Sequence, residues 1–257
     1  MASASPSLAR RLRAGETVFC GWCSLPAPMV AELIAREGFS AVLLDQQHGL
    51  YDMAATAAGI AAIHHAGSAP LVRIPVGDFA VASRVLDFGA EGVIAPMINT
   101  VEDARALVAA TKFPPVGDRS WGPHRAIALM GLELKAYFAE ANAIAVAFAM
   151  IETRTALDNA RAIAGTDGID GLFLGPSDLS IALSAGRELD PMLPEVDREL
   201  GRLVEAAKAA GKIAGAYCAT PERALALAER GFRFLAVGSD HGFLRGAAAA
   251  ALQKLKR

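Results

Sequence analysis

A short segment recurs along the 257-residue chain. Each copy has a glycine, a small step, a short apolar run, and then a polar or proline-containing end. The copies read EGFSAVLLD, FGAEGVIAPM, DGIDGLFLGPSD and RGFRFLAVGSD. The apolar runs do not alternate with polar residues, which is typical of parallel strands that protein covers on both faces. The pattern therefore predicts a chain of strand–helix units.

Eight such runs, separated by helical segments, favour a single-domain (β/α)₈ barrel over residues 1–257. The predicted strands are Thr17–Trp22, Ala41–Leu44, Pro70–Val72, Gly92–Ala95, Ala145–Ile151, Gly171–Gly175, Ile213–Ala216 and Phe234–Val237. The rival is a doubly wound open sheet. That fold usually has a glycine-rich phosphate turn after its first strand, and CGWCSLPAP is not one.

Three further segments are predicted between or after these strands. Residues 114–142 form a long interruption with a loop and then a helix near Leu132–Ala139, and residues 179–195 are irregular. An alanine-rich helix, Phe243–Lys256, ends the chain. The N-terminal residues MASASPSLARRLRAGET lack the apolar core of a secretory signal. We expect a short helix at Leu8–Ala14, with a transit peptide as the compositional alternative.

Composition excludes several classes of protein. The net charge of -2 gives no electrostatic reason to expect nucleic acid as a partner. Three cysteines cannot build a disulfide framework, so a cytoplasmic location is expected. No apolar run approaches the ~20 residues that cross a bilayer, so no membrane partner is expected.

Polar residues follow several of the predicted strands, where a barrel enzyme has its active site. The candidates are Trp22, Asp45, Gln47, His48, Arg73, Glu152 and Asp178, with Cys218 and Asp240 as weaker ones. Polar residues at the strand starts are few. This asymmetry favours an enzyme.

The two carboxylates Glu152 and Asp178 end consecutive strands of one strand–helix–strand unit. Their strands should be parallel neighbours, so the carboxylates should lie side by side. Two such oxygen ligands can share one divalent cation. The alternative is that each carboxylate only caps the helix that follows it.

Three other candidates have alternative interpretations. His48 shares a turn with Asp45 and Gln47, which suits a base with an orienting carboxylate, although a solvated loop histidine looks the same in sequence. Arg73 suits a substrate carboxylate or an oxyanion, or it forms an ion pair only. Asp87 lies at the end of a predicted helix, where a negative charge is disfavoured, and this hints at a specific partner.

The positions of the lysines and cysteines argue against Schiff-base chemistry and against a redox or zinc-binding cysteine pair. No lysine stands at the carboxyl end of a predicted strand, so a Schiff-base mechanism is not expected. Cys20 and Cys23 have no second cysteine pair and lie in or directly after a strand, so they are interpreted as structural residues. Of the mechanisms considered, metal-assisted enolisation is the one that these residues leave open.

Several segments together resemble the HpcH/HpaI aldolase family, the metal-dependent class II pyruvate aldolases. They are LLDQQHG, LVRIP, DFGA before VIAPMI, PPVGDRS, MIETRTALDN and GLFLGPSDLS, and the matches run over nearly the whole chain. The combination of MIET and GPSDLS at this spacing, with DxxH upstream, is specific to the family.

The resemblance implies a (β/α)₈ barrel whose Glu152 and Asp178 hold Mg²⁺ or Mn²⁺, with Co²⁺ or Zn²⁺ as alternatives. A 2-oxo acid chelates that ion. Arg73 then contacts the enolate oxygen, and the amides around Gly175, Pro176, Ser177 and Asp178 bind the substrate carboxylate. His48 and Asp87 match the proton-transfer pair. Asp45 also belongs to the catalytic set, and Trp22 and Gln47 to the substrate-binding set.

The sequence departs from the family at two positions. Gln47 stands where the family often has Glu, and Met150 where it often has Gln. Both are near the expected metal, so the donor stays open between pyruvate and hydroxypyruvate. The expected reaction is cleavage or formation of 4-hydroxy-2-oxo acids, with an aldehyde as the second small molecule. Alternatives are a citrate-lyase-like acyl-CoA lyase and a non-catalytic barrel scaffold.

The family also implies an oligomer. We expect a homohexamer in which the terminal helix packs on or swaps with a neighbouring subunit, and in which the loop PPVGDRSWGPHR lies near a neighbour's active site.

Overall fold

Eight parallel strands close a barrel in chain order, with β8 paired to β1. The computed structural model describes residues 7–256. The strands are β1 Val18–Cys23, β2 Ala41–Asp45, β3 Ala69–Arg73, β4 Gly92–Ala95, β5 Val146–Ile151, β6 Gly171–Leu174, β7 Ile213–Cys218 and β8 Phe234–Val237. The predicted (β/α)₈ barrel is confirmed, and the doubly wound alternative is wrong because an open sheet has no β1–β8 pair.

Helices cover the barrel and connect its strands. They are α1 Leu8–Arg13, α2 Pro28–Arg36, α3 Met53–His65, α4 Phe79–Phe88, α5 Val101–Thr111, α6 His124–Met130, α7 Leu134–Ile144, α8 Arg154–Ala164, α9 Pro176–Leu183, α10 Pro194–Ala209, α11 Pro221–Glu229 and α12 Asp240–Leu255. The expected N-terminal helix is present as α1. The first six residues, which bear on the transit-peptide alternative, lie outside the described residues.

Three predictions about the helices need correction. Residues 179–195 are not irregular throughout, because α9 extends to Leu183 and α10 begins at Pro194. Proline occupies the first turn of α9, where the missing N–H costs nothing, and a helix therefore starts immediately after the strand. In the interruption, α6 begins at His124, inside the segment predicted as a loop, and α7 runs on to Ile144. The last helix begins at Asp240, because Ser239 caps it.

Side chains alternate between two cores along each strand. Inward-facing residues such as Leu43, Leu71 and Phe148 fill the barrel, and their neighbours in sequence pack against the helices. Phe148 stacks on Phe234 at 4.8 Å, and Phe173 contacts both rings. This aromatic layer closes the barrel interior, so that a ligand can enter only from an end.

The amino-terminal end of the barrel is closed by α1, which packs Leu8, Ala9 and Leu12 against the inward-facing residues. Asp170, just before β6, binds Lys112 at 2.7 Å and Arg13 at 2.9 Å. This buried lysine is therefore a structural residue at the end opposite the expected active site.

The last helix, α12, lies largely outside this packing. Asp240 is its buried residue, and Leu244, Leu252 and Leu255 are 64%, 51% and 82% exposed. Within residues 7–256, no helix is both long enough and apolar enough to span a membrane.

Candidate active site

A cavity of about 420 Å³ opens at the carboxyl ends of the strands. Residues from β1–β3 and β5–β8, or from the loops that follow these strands, line it. They are Trp22, Ser24, Asp45, His48, Arg73, Met150, Gly175, Pro176, Ser177, Asp178, Tyr217, Ser239 and His241. Eight of the eleven strongest sequence candidates therefore meet in one cavity: Trp22, Asp45, His48, Arg73, Gly175, Pro176, Ser177 and Asp178.

Strand periodicity explains why these side chains meet. Leu43 and Leu71 face the barrel interior, so Asp45 and Arg73, two residues further on, face it too. The two residues are also register partners across β2 and β3. The sequence therefore places an acid and a base side by side at the top of the barrel.

The ion pair between Asp45 and Arg73 is buried and bidentate. Arg73 Nε donates to Asp45 Oδ1 at 2.9 Å, and Nη2 donates to Oδ2 at 2.6 Å. The guanidinium lies 4.7 Å from the ring centroid of Trp22, and Trp22 Nε1 donates to Asp45 Oδ2 at 3.3 Å. Burial raises the pKa of Asp45, but the bonds and charge of Arg73 outweigh this and hold the pKa below its ordinary value. Arg73 is thus held rigidly, and its Nη1 donates to no protein group within residues 7–256.

Glu152 follows β5 in the inward-facing row and is buried, with 2% of its surface exposed. Its Oε1 accepts from the Met97 amide at 2.9 Å, whereas Oε2 is buried and has no hydrogen-bond partner among the described residues. Burial, and to a smaller extent the nearby charge of Asp178, raise the pKa of Glu152 to about 7 against the opposing effects of the Met97 amide and Arg73. A buried carboxylate oxygen without a hydrogen-bond partner is unfavourable, and a positively charged partner would stabilise it.

Gly175 keeps the space beside that oxygen open. A Cβ at this position would lie 2.5 Å from Glu152 Oε2 and 2.5 Å from the Met150 methyl carbon. Gly175 is also the N-cap of α9 and provides no side chain to bind the first-turn amides. Ser177 and Asp178 in that first turn line the cavity. The amides at this helix end favour an anion such as a carboxylate.

Glu152 and Asp178 fit a divalent cation such as Mg²⁺. That ion commonly takes one or two protein carboxylates and completes its shell with water and substrate oxygens. Within residues 7–256, no third His, Cys, Asp or Glu completes a protein-only metal site. The donor set therefore suits an ion that also binds the substrate.

Three of the predicted residues lie outside the cavity lining. Glu152 lies directly beside it, as its contact with Gly175 shows. Gln47 donates its backbone amide to Asp45 Oδ1 at 3.0 Å, and its buried Oε1 has no partner among the described residues. Asp87 binds Arg119 at 2.6 Å, so the partner that its position hinted at is an arginine, and within one chain Asp87 does not line the cavity with His48.

The two weaker candidates, Cys218 and Asp240, do not line the cavity. Cys218 faces the helices rather than the barrel interior, and burial raises its pKa to about 12. Asp240 is buried and accepts hydrogen bonds from the amides of Ser24 and Leu25. All three cysteines are buried and unpaired, as expected of structural residues.

Sequence reasoning missed four cavity residues: Ser24, Tyr217, Ser239 and His241. The predicted seventh strand ended at Ala216, but β7 runs to Cys218. With the longer strand, the alternation would have placed Tyr217 inside and Cys218 outside. His241 lies in a helix turn, where strand periodicity gives no signal.

Comparison with known proteins shows which family the chain resembles. Residues 19–247 match the family model described as HpcH/HpaI aldolase/citrate lyase. The chain belongs to this family. The resemblance seen in the sequence and the assignment as a carbon–carbon lyase are confirmed, because similar relatives are named as aldolases.

Two curated relatives and one solved structure illustrate the similarity. The chain is 38% identical to a hydroxypyruvate/pyruvate aldolase of Rhizorhabdus wittichii, over 91% of this chain and 92% of the relative. It is 37% identical to a 4-hydroxy-2-oxovalerate aldolase of Novosphingobium aromaticivorans, over 92% and 89%. An HpcH/HpaI aldolase/citrate lyase family protein from Burkholderia cenocepacia superposes with a TM-score of 0.88 at 32% identity, over 97% and 99% of the two chains.

Proposed function

We propose that this protein is a divalent-metal-dependent aldolase that reversibly cleaves 4-hydroxy-2-oxo acids into pyruvate or hydroxypyruvate and an aldehyde. The observation that carries the proposal is the orphaned, buried Glu152 Oε2 near Asp178, in a barrel mouth that also holds Arg73. The names of the curated relatives support this reaction over the citrate-lyase-like alternative.

The donor half of the substrate is bound by groups on three strands. First-turn amides of α9 bind its carboxylate, and Arg73 directs its unpaired Nη1 to the ketone oxygen. Glu152 and Asp178 would hold the cation. When bound, a divalent ion supplies a Lewis acid that favours negative charge on the ketone oxygen. The rigid bidentate contact to Asp45 keeps Arg73 in place while that charge develops.

His48 acts on the acceptor half. In cleavage it takes the proton of the C4 hydroxyl while the C3–C4 bond breaks, which releases the aldehyde and leaves the enolate of the 2-oxo acid. Protonation of that enolate at C3 gives the free 2-oxo acid. The rim position of His48, exposed in one chain, suits a group that exchanges protons with solvent between turnovers.

We also propose a homo-oligomer, a hexamer as in the family resemblance. The unpacked apolar residues of α12 and the exposed Trp121 and Phe138 of the inserted segment support a second copy as the partner. Arg119 ties that inserted segment to Asp87. If the inserted segment extends to the barrel mouth of a neighbouring copy, Asp87 lies there with it and can pair with His48 of that copy. A cytoplasmic location is proposed from the three unpaired cysteines.

The proposed reaction is tested by measuring the release of pyruvate from 4-hydroxy-2-oxopentanoate in an assay coupled to lactate dehydrogenase. Removal of divalent ions should abolish the release, and Mg²⁺, Mn²⁺ or Co²⁺ should restore it. Full activity in excess chelator would contradict the metal-dependent mechanism. Cleavage of acyl-CoA substrates without any pyruvate release would favour the citrate-lyase-like alternative.

A further inference from the structure

One side of the cavity has polar groups that the proposed donor chemistry does not use. The donor-binding groups come from the ends of β3, β5 and β6. Ser24 after β1, together with Ser239 and His241 after β8, lines the same cavity from the other side. This side is therefore available to the part of the substrate that becomes the aldehyde.

The backbone of His241 is fixed by the buried carboxylate of Asp240. Oδ2 of that carboxylate accepts from the amides of Ser24 at 2.9 Å and Leu25 at 2.8 Å. Its Oδ1 accepts from the His241 amide at 2.7 Å. The first turn of α12 is thus fastened to the loop after β1, which makes His241 a constant part of the cavity wall even though the rest of α12 is exposed.

The imidazole of His241 is also placed to offer hydrogen bonds. Its Nδ1 lies 3.6 Å from Asp240 Oδ1, and its Nε2 lies 3.4 Å from the hydroxyl oxygen of Ser239. The side chain is 56% exposed, so neither weak contact occupies the ring fully. Trp22 and Tyr217, which pack edge to face at 5.5 Å, give this region an aromatic wall. A polar pair therefore interrupts an otherwise aromatic surface.

We propose that His241, together with Ser239, recognises a hydroxyl group on the acceptor aldehyde and makes the enzyme select 2-hydroxyaldehydes over alkyl aldehydes. The inference rests on the proposed aldolase function and adds the substrate class of its acceptor side. The Ser239 oxygen already accepts from the Gly242 amide at 3.4 Å and supports the ring, whereas the imidazole is 56% exposed. An alkyl substituent would leave the exposed edge of the imidazole facing an apolar group, whereas a hydroxyl would give it a hydrogen-bond partner.

Glycolaldehyde and propanal form a matched pair for the test, because they differ by a hydroxyl in place of a methyl group. The rate of aldol addition of pyruvate is measured with each aldehyde in the metal-loaded enzyme. The ratio of the two kcat/KM values should favour glycolaldehyde in the parent and should fall about three- to tenfold in His241→Ala, as for one lost hydrogen bond. His241→Gln, which keeps a donor and an acceptor, should retain part of the preference.

Two controls make the outcome specific. His65→Ala removes an exposed histidine at the end of α3 and should keep the parent ratio. Exchange of pyruvate methyl protons uses no acceptor aldehyde. In His241→Ala the rate of this exchange should therefore fall less than the rate of addition to glycolaldehyde. If His241→Ala keeps the parent ratio and still exchanges methyl protons, the inference about the acceptor is wrong but the proposed function stands. The same holds if the parent enzyme shows no preference for glycolaldehyde over propanal. Equal losses of exchange and addition would overturn it too. Absence of exchange in the parent would overturn the proposed function itself.

Discussion

Replacing Arg73 by Ala should destabilise the fold as well as stop the chemistry. The substitution leaves the buried side chain of Asp45, which is 1% exposed, without the cation that balances its charge. Two charge-assisted hydrogen bonds, at 2.9 and 2.6 Å, are lost together. Removing one partner of a buried pair costs about 3–5 kcal/mol. We therefore expect a loss of that order in the free energy of unfolding, measured by urea denaturation.

A double-mutant cycle isolates this effect. Asp45→Asn removes the charge but can still accept from the amides of Gln47 and His48, which bind the Asp45 carboxylate in the parent. The double variant with Arg73→Ala should be more stable than Arg73→Ala alone, with a coupling free energy of about 2 kcal/mol. Losses that add within about 0.5 kcal/mol would refute the buried ion pair as the structural support of Arg73.

The same variants separate stability from catalysis. Arg73→Lys restores a cation beside Asp45, but its single nitrogen cannot bind both carboxylate oxygens and the substrate as the guanidinium does. It should recover much of the stability while exchange of pyruvate methyl protons stays about 10²–10³-fold below the parent rate. Parent-like exchange in Arg73→Ala would show that Arg73 acts only as an ion-pair residue.

Three further predictions concern the carboxylate, the glycine beside it and the last helix. The pKa of Glu152, raised from 4.5 to about 7 chiefly by burial, means that the contribution of Glu152 to the stability of the metal-free protein is greatest below pH 4.5 and falls by about 3 kcal/mol as the pH rises through 7. Denaturation at a series of pH values should show the parent losing this amount of stability relative to Glu152→Gln, and a difference between the two that does not change with pH would contradict the assignment. Gly175→Ala should weaken Mn²⁺ binding in calorimetric titrations at least tenfold, because its methyl group meets the Glu152 carboxylate, whereas Gly246→Ala, with open space around it, should bind as the parent does. Leu255→Asp should dissociate the oligomer in light-scattering measurements, because the side chain is 82% exposed in one chain; a parent that is already monomeric at micromolar concentration would defeat the interface.

How much of the site was readable from sequence depends on strand periodicity. Asp45, Arg73 and Glu152 each lie two residues beyond an inward-facing apolar residue, so recognising the strands was enough to bring them together. Tyr217 was missed because the end of β7 was placed too early, at Ala216. An error of a few residues at a strand end changes which side chains are assigned to the mouth.

Other parts of the site depend on contacts that no local pattern encodes. Arg119, the partner of Asp87, is 32 residues away in a segment without a recognisable repeat. His241 enters the cavity because Asp240 binds amides in a loop more than 200 residues earlier. The sequence does not predict helix α9 beyond its first turn, because residues 179–195 have the composition of an irregular segment, whereas the helix continues to Leu183. Long-range contacts and the extent of this helix are therefore known only from the structure.

Exchange of pyruvate methyl protons in deuterium oxide, followed by NMR, tests the central claim most directly, because it requires only donor binding and enolisation. The parent with Mg²⁺ or Mn²⁺ should exchange these protons. Exchange should fall at least about 100-fold in excess chelator and in Glu152→Gln. Glu229→Gln, which changes an exposed glutamate at the end of α11, should exchange as the parent does. Exchange that continues at the parent rate both in chelator and in Glu152→Gln would contradict the assignment of Glu152 to a catalytic metal site.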